Sequence, residues 1–287
     1  MNGILVVNKD LGYTSRDIVN EICKCFNTKK VGHCGTLDPS ASGVLVICIG
    51  NALKVCELLT NHDKEYTAGV TLGIESDTLD MDGKILSDVD VDIPDDKIIS
   101  GIDSFVGKKY SQVVPKYSAV KINGKKLYEY ARGNIDVALP KRNVCIYDIS
   151  IIDKIIHEHG KVNFKIKCNV SKGTYIRSLV RDIGVCLGVP SVMTSLVRTR
   201  QGNFSISDSY SLDDIKNGNY KIINITEALS NIPIIKVDDN MAFKIKNGVI
   251  LDKFFDSDMA FIMDKNDNLL ALYRLDSNKC RTYKMFL

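Results

Sequence analysis

Between residues 162 and 170 the chain alternates strictly: Val162, Phe164, Ile166, Cys168 and Val170 against Asn163, Lys165, Lys167 and Asn169. A period of two predicts a strand with one buried and one solvated face. Tyr66, Ala68, Val70 and Leu72 alternate with Thr67, Gly69, Thr71 and Gly73 in the same way, and Val144–Ile152 reads as a third strand. Two further segments, Ile4–Val7 and Val44–Ile49, are apolar throughout and fit buried strands, the second a central one. Helical spacing appears in Ile18, Val19, Ile22, Cys23 and Phe26, behind a Thr14 that stands three residues before Asp17 as in a capping box. It returns in Ile176, Leu179, Val180, Ile183 and Leu187, stopped by Gly188-Val189-Pro190.

Strands and helices are interspersed without regular βαβ spacing, and long loops intervene. This predicts an α+β fold with a mixed, mainly antiparallel sheet and flanking helices. From Pro233 onward the pattern shortens to the strands Ile234–Val237, Val249–Leu251, Met259–Met263 and Leu269–Leu275, the last two joined by a turn over Asp264–Asn268. The expected domains are therefore 1–232 and a small β module at 233–287.

Composition narrows the class. The 287 residues are 45% hydrophobic and 25% charged, enough to bury a core and incompatible with a disordered or collagenous chain. No apolar run nears the ~18 residues of a membrane span, and the start, Met1-Asn2-Gly3-Ile4, has no basic or long apolar leader region. A cytoplasmic protein with no membrane partner is expected. The nine cysteines are odd in number and contain no C-x-x-C, which predicts free thiols in a reducing compartment rather than a zinc ribbon or redox pair. No dinucleotide or P-loop glycine signature is present, and His157-x-His159 lacks a third ligand, so neither cofactor nor metal is expected.

Charge is uneven although the net is only +3. Glu75–Asp103 holds ten acids and two bases, a net of −8, whereas Gly107–Arg142 holds nine bases and two acids, a net of +7. Such an asymmetry orients a polyanion. The basic strip is interleaved with Tyr110, Tyr117, Tyr128 and Tyr130, a composition suited to stacking on unpaired bases.

The most unusual segment runs from Val31 to Gly43. Three glycines and a proline in its thirteen residues specify backbone shape rather than core packing, and one carboxylate, Asp38, sits between Leu37 and Pro39. The pattern Gly32-His33-x-Gly35-Thr36-Leu37-Asp38-Pro39-x-Ala41-x-Gly43-x-Leu45 resembles the catalytic loop of the TruB family, the bacterial tRNA pseudouridine-55 synthases. Five more segments share the resemblance, and with this loop they run in family order along the chain. Gly3–Lys9 with Gly12-x-Thr14-Ser15 is similar to the first family motif, and Asp63-Lys64-Glu65-Tyr66 to the segment with the active-site tyrosine. Pro115–Arg132 resembles the RNA-gripping insertion, and Ser171–Leu179 with Leu196-x-Arg198-Thr199-x-x-Gly202-x-Phe204 completes the set. The module after Pro233 resembles, more weakly, a PUA-like RNA-binding domain. One departure is Asp10, where the family usually has proline; it implies a less stiff turn and an added negative charge beside Lys9.

The resemblance implies the pseudouridine synthase fold, an insertion at about 107–142, and isomerisation of the T-loop uridine of tRNA. That reaction breaks the N-glycosidic bond, turns the uracil and rejoins it through C5. No electrons move, so no cofactor is implied. Asp38 either attacks C1′ or removes the C2′ proton; the sequence leaves both routes open. Arg177 is implied as the cation that favours its ionised form, and Tyr66 as the stacking partner of the flipped base. His33 is implied to fill the gap the base leaves, with Lys9, Tyr175 and Leu196 as further substrate contacts. Lys121, Lys125, Lys126 and Arg132 are the expected grip on the T-arm stem-loop. A monomer with no obligate protein partner is expected. Two alternatives stand beside this reading: a non-catalytic RNA-binding or tRNA-folding protein, and a guide-RNA-dependent pseudouridine synthase.

Overall fold

The computed structural model describes residues 1–286. The chain opens with β1 (Gly3–Lys9) and α1 (Ser15–Cys25). Thr14 caps α1: its hydroxyl accepts from the Asp17 amide at 3.1 Å, and its own amide donates to the Asp17 carboxylate at 2.8 Å. β2 (Val31–His33) and β3 (Ala41–Ile49) bound the glycine-rich segment, so both its ends are strand, not loop. α2 (Cys56–Thr60) and β4 (Lys64–Leu72) follow. The acidic stretch folds as the hairpin β5 (Ile74–Ser76)–β6 (Ile85–Asp88) and the helix α3 (Asp95–Asp103). Next come β7 (Lys109–Val113), the hairpin β8 (Lys121–Ile122)–β9 (Lys125–Lys126), α4 (Leu127–Arg132) and β10 (Lys141–Ile151). β11 (Ile156–Glu158), β12 (Lys161–Val170), α5 (Ile176–Leu187), β13 (Ser191–Gln201), β14 (Phe204–Ser205), α6 (Leu212–Lys216) and α7 (Ile225–Ala228) complete the larger part. The remainder is β15 (Ile234–Lys236), α8 (Asp239–Lys246), β16 (Leu251–Asp252), β17 (Met259–Met263), β18 (Leu269–Asp276) and β19 (Lys279–Met285).

The main sheet runs β1-β3-β13-β4-β12-β10-β7. β3 and β13 are parallel and every other neighbouring pair on this path is antiparallel, the mixed, mainly antiparallel sheet of an α+β fold. Burial explains the two kinds of strand pattern. On β12 the apolar alternates pack with Ile98 and Ile102 of α3 and Leu179 and Ile183 of α5, while Lys165 and Lys167 face solvent. β1 and β3 are covered twice. Leu5, Val7, Leu45 and Ile47 pack on α1 and α6, whereas Ile4, Val6, Val44 and Val46 join Phe261, Leu272 and Phe286 of the C-terminal module. A strand with no wet face has no reason to alternate.

The C-terminal module is a five-stranded sheet, β15-β17-β18-β19-β16, with its own core around Ile245, Ile262 and Tyr273. It carries one helix, α8, and one strand, β19, beyond those its pattern predicts. It is tied to the main body by Lys54 Nζ donating to the Met285 carbonyl at 2.7 Å and Tyr283 Oη donating to Glu57 Oε1 at 2.5 Å. The basic strip divides differently from the expected 107–142 insertion. β7 pairs with the start of β10 as the edge of the main sheet, and the Val114 amide donates to the Pro140 carbonyl at 3.0 Å. Only residues 115–139 leave the sheet.

Candidate active site

β13, which periodicity does not reveal, contributes Leu196 and Arg198 to the cavity wall. Its inward positions include the side chains of Arg198 and Gln201, each 1% exposed, and its register shifts twice against β4. From this central position Arg198 reaches the glycine-rich segment. Its Nε donates to the Val44 carbonyl at 2.7 Å, and its Nη1 and Nη2 donate to the Thr36 and Gly35 carbonyls at 3.4 and 3.3 Å. Gly43 faces it with φ +99°, and a Cβ there would collide with the Arg198 backbone, so only glycine fits.

Every carbonyl from Cys34 to Pro39 has a donor. Gln201 Nε2 donates to Cys34, and Arg198 to Gly35 and Thr36. Ser15 Oγ donates to the Leu37 carbonyl at 3.0 Å and accepts from the Leu37 amide at 2.9 Å. The Ala41 amide serves Asp38 at 3.1 Å, and the Gly12 amide serves Pro39 at 2.9 Å. Two distant stretches of chain, β13 and the β1–α1 turn through Ser15, together with a local turn at Ala41, thus fix the backbone of a loop without regular structure, and backbone groups so held do not drift.

The Asp38 side chain, 41% exposed, projects from this frame into a cavity of about 660 Å³. Arg177, on the first turn of α5 and 6% exposed, meets it with Nη2 to Oδ2 at 2.9 Å. The same guanidinium is fixed on its other sides by Asp80 at 3.2 Å and by the carbonyls of Thr78 and Tyr117, each at 3.0 Å. Asp80 is hidden in the sequence by its acidic surroundings. It is 6% exposed, its Oδ1 accepts from Thr78 Oγ1 at 2.5 Å, and it does not line the cavity. The acidic strip therefore supplies a buried counter-ion that aims Arg177, while the wall presents Asp38 as its carboxylate.

Tyr66, Tyr175 and Leu196 line the same cavity. Tyr66 is 7% exposed, and burial raises the pKa of its hydroxyl. Tyr175 caps α5, its amide donating to Gln112 Oε1 at 2.8 Å, with the Arg142 guanidinium 5.9 Å from its ring centroid. Lys64, Arg142 and Lys172 add positive charge to the wall. Lys64 donates to the Thr60 and His62 carbonyls at 2.7 and 2.6 Å, and burial lowers its pKa to about 8. Sequence reasoning does not single out Arg198 or Lys64 as functional, although both lie inside the family-like motifs.

Lys9 departs from the substrate contact expected of it. It is fully buried and does not line the cavity. Its ammonium donates to the carbonyls of Asp10, Tyr13 and Pro39 at 3.0, 2.6 and 3.4 Å, bracing the β1–α1 turn against the catalytic-loop segment. Asp10 offers its carbonyl to this brace, which proline also provides. His33 ends β2, half-buried, and is not part of the wall; burial lowers its pKa. Lys121, Lys125, Lys126 and Arg132 lie on the β8–β9 hairpin and α4, outside the cavity. All four interleaved tyrosines have hydroxyls engaged within the protein: Tyr110 on Asp182, Tyr117 on Asp77, Tyr130 on the Ile122 carbonyl, and Tyr128 accepting from Lys126 Nζ at 3.1 Å. The ring of Tyr128 also has the charged groups of Lys126 and Arg132 5.2 and 5.5 Å from its centroid. Among the described residues, Cys34, Cys48 and Cys56 form the one group of three metal-capable side chains, with ligand atoms within 4.8 Å of one another. His157 contacts Asp95 at 2.7 Å instead.

The chain is similar to known proteins over most of its length. The N-terminal domain of the TruB family pseudouridylate synthases matches residues 23–176. The tRNA pseudouridine synthase B of Bacillus licheniformis is 42% identical over 258 residues, covering 88% of this chain and 84% of the relative. That of Bacillus subtilis is 39% identical over 287 residues, covering 95% and 93%. Among solved structures, an H/ACA ribonucleoprotein bound to a substrate RNA containing 2′-deoxyuridine is 25% identical with a TM-score of 0.70, covering 99% of this chain and 85% of the other. A Cbf5–Nop10–Gar1 complex is 26% identical with a TM-score of 0.69, covering 99% and 84%. The chain belongs to the TruB family of pseudouridylate synthases.

Proposed function

We propose that the chain is a tRNA pseudouridine synthase that isomerises the T-loop uridine, with Asp38 as the catalytic carboxylate. The observation that carries this reading is Asp38 held at 2.9 Å by a buried Arg177 in a cavity of about 660 Å³, within the size range of a small-molecule site. The target uridine leaves its stack and enters between Tyr66 and Leu196. Asp38 attacks C1′ or takes the C2′ proton, and either route frees uracil from C1′. The base turns within the pocket and bonds through C5, and the C5 proton leaves last. Arg177 favours ionised Asp38 before the reaction and balances charge during it. Tyr66, its hydroxyl kept protonated by burial, stacks on the base and assists transfer of the C5 proton.

Cations outside the cavity provide the affinity. Lys121, Lys125, Lys126 and Arg132 contact T-arm phosphates, His33 fills the gap left by the flipped base, and the module at 233–287 extends the footprint along the tRNA. The protein acts as a cytoplasmic monomer without a guide RNA, a reading supported by relatives near 40% identity over nearly the whole chain.

The test compares wild type with Asp38→Asn on an unmodified tRNA transcript. Pseudouridine is mapped by carbodiimide-dependent primer extension and binding is measured by filter retention. The expected result is one T-loop stop for wild type and none for the variant, a loss of about a thousandfold or more with tRNA binding retained. Wild type that binds tRNA but modifies nothing sinks the proposal and favours the guide-dependent or RNA-folding alternative.

A further inference from the structure

Behind the cavity, three thiols converge from three elements. Cys34 lies in the catalytic-loop segment, Cys48 on β3 and Cys56 at the start of α2. The Cys34 sulfur is 3.0 Å from that of Cys56 and 3.3 Å from that of Cys48. Cys34 and Cys48 are buried, while Cys56 is partly exposed. We propose that Cys56 and Cys34 form a peroxide-sensitive thiol pair whose disulfide ties α2 to the catalytic loop and slows the isomerase.

Three observations carry the assignment. Solvent reaches Cys56 but not its two neighbours, and peroxide attack requires access. A second sulfur already lies 3.0 Å away, so a resolving thiol needs no large rearrangement. The Cys34 thiol hydrogen-bonds to Cys56, and the neighbouring thiols pull the Cys56 pKa well below the ordinary thiol range, which favours the nucleophilic thiolate there. The chemistry balances with hydrogen peroxide as oxidant. The Cys56 thiolate attacks one peroxide oxygen, an S–O bond forms, the O–O bond breaks, and hydroxide leaves to become water. The Cys34 thiol then attacks the Cys56 sulfur, the S–S bond forms, and the sulfenic oxygen leaves as a second water with the Cys34 proton. Two thiols are oxidised by two electrons, and dithiothreitol reverses the step.

The link to the site is geometric. Closing the pair to a disulfide bond length of about 2.05 Å draws the sulfurs together by nearly 1 Å. The Cys34 carbonyl is pinned by Gln201 and its successors by Arg198, so the pull is transmitted to the frame that holds Asp38. On the other side, Thr60 and Asn61, just beyond Cys56, line the cavity. A displacement of about 1 Å in such a frame costs up to about a hundredfold in rate.

The experiment uses the full chain with exposed Cys25 and Cys186 changed to alanine, treated with hydrogen peroxide in the presence of a chelator, so that no metal ion shields the sulfurs. Peptide mass mapping under non-reducing conditions is expected to find a Cys34–Cys56 cross-link, and tRNA conversion is expected to fall roughly 10- to 100-fold and return with dithiothreitol. Cys56→Ala is expected to fold and to keep its conversion through the treatment. No cross-link, a Cys34–Cys48 cross-link, or a cross-link that leaves conversion unchanged overturns the proposal. The effect on rate rests on the proposed isomerase activity; the mapping does not, so an untreated enzyme that converts nothing defeats that activity alone.

Discussion

The catalytic-loop segment and the segment at 115–139 are both irregular, glycine-containing and rich in function, yet they are built in opposite ways. From Cys34 to Pro39 each carbonyl is met by a donor, all but that of Asp38 from another part of the chain and two of them by the buried guanidinium of Arg198. Residues 115–139 turn cations outward on a two-residue-stranded hairpin and a six-residue helix. The first arrangement fixes the backbone from which one carboxylate projects. The second carries charge to wherever phosphate lies, for which position matters far less. On the proposed function, chemistry is placed where the backbone is over-determined and affinity where it is not.

The contrast breaks most severely at Arg198. Arg198→Met leaves the carbonyls of Gly35, Thr36 and Val44 without their donor. At about 1–3 kcal/mol for each stranded group, urea unfolding is expected to show a loss of at least about 3 kcal/mol. Conversion is expected to fall even in the fraction that stays folded. A stable variant of normal activity would mean that the loop holds itself.

Arg177→Lys is a finer cut. Lysine keeps the charge but cannot face Asp38, Asp80 and the carbonyls of Thr78 and Tyr117 at once. The expected outcome is a kcat lower by about 10- to 100-fold, that is about 1.4–2.7 kcal/mol, with KM little changed. A rise in KM alone would place Arg177 in binding rather than in aiming Asp38.

Lys9 tests the brace beneath the loop through pH. Burial lowers its pKa from 10.5 to about 8. Between those values the unfolded chain holds a proton that the folded chain has released, so this group makes stability rise with pH. Below about pH 8 both states are protonated and the burial cost is borne in full. In Lys9→Met the dependence vanishes. Wild-type stability is therefore expected to gain on the variant by about 1–3 kcal/mol as pH climbs from about 8 to 10.5. A constant gap over that range would show an ammonium that titrates normally.

Legibility follows the same divide. The alternation of β12 and the Thr14–Asp17 cap are readable because each records a single local constraint. Asp38, Tyr66 and Arg177 come from motif resemblance, and the fold brings all three to one cavity. β13 escapes periodicity because Arg198 and Gln201 occupy core positions to serve a loop more than 160 residues away. Asp80 looks like one acid among ten until Arg177 is seen beside it. The Cys34–Cys48–Cys56 cluster is assembled from a loop, a strand and a helix. A side chain whose reason lies in another segment leaves no local pattern.

The smallest expected effect falls on the outward-facing segment and sharpens the comparison from the other side. Lys121→Ala, Lys125→Ala and Arg132→Ala remove three exposed cations that bond to nothing essential within the fold. Surface changes of this kind alter stability by only about 0.5 kcal/mol, so urea unfolding is expected to match wild type. Binding is where they act. Each cation taken away from a phosphate lowers the steepness of log affinity against log salt by about one. Filter retention across a salt series is expected to show a slope shallower by about two to three, with affinity about tenfold weaker per change at low salt and converging with wild type at high salt. At saturating tRNA, kcat is expected to be unchanged, because none of the three lines the cavity. A kcat that falls while the salt slope holds would mean that this segment, too, positions the substrate, and that the division between a placed carboxylate and a diffuse grip is wrong.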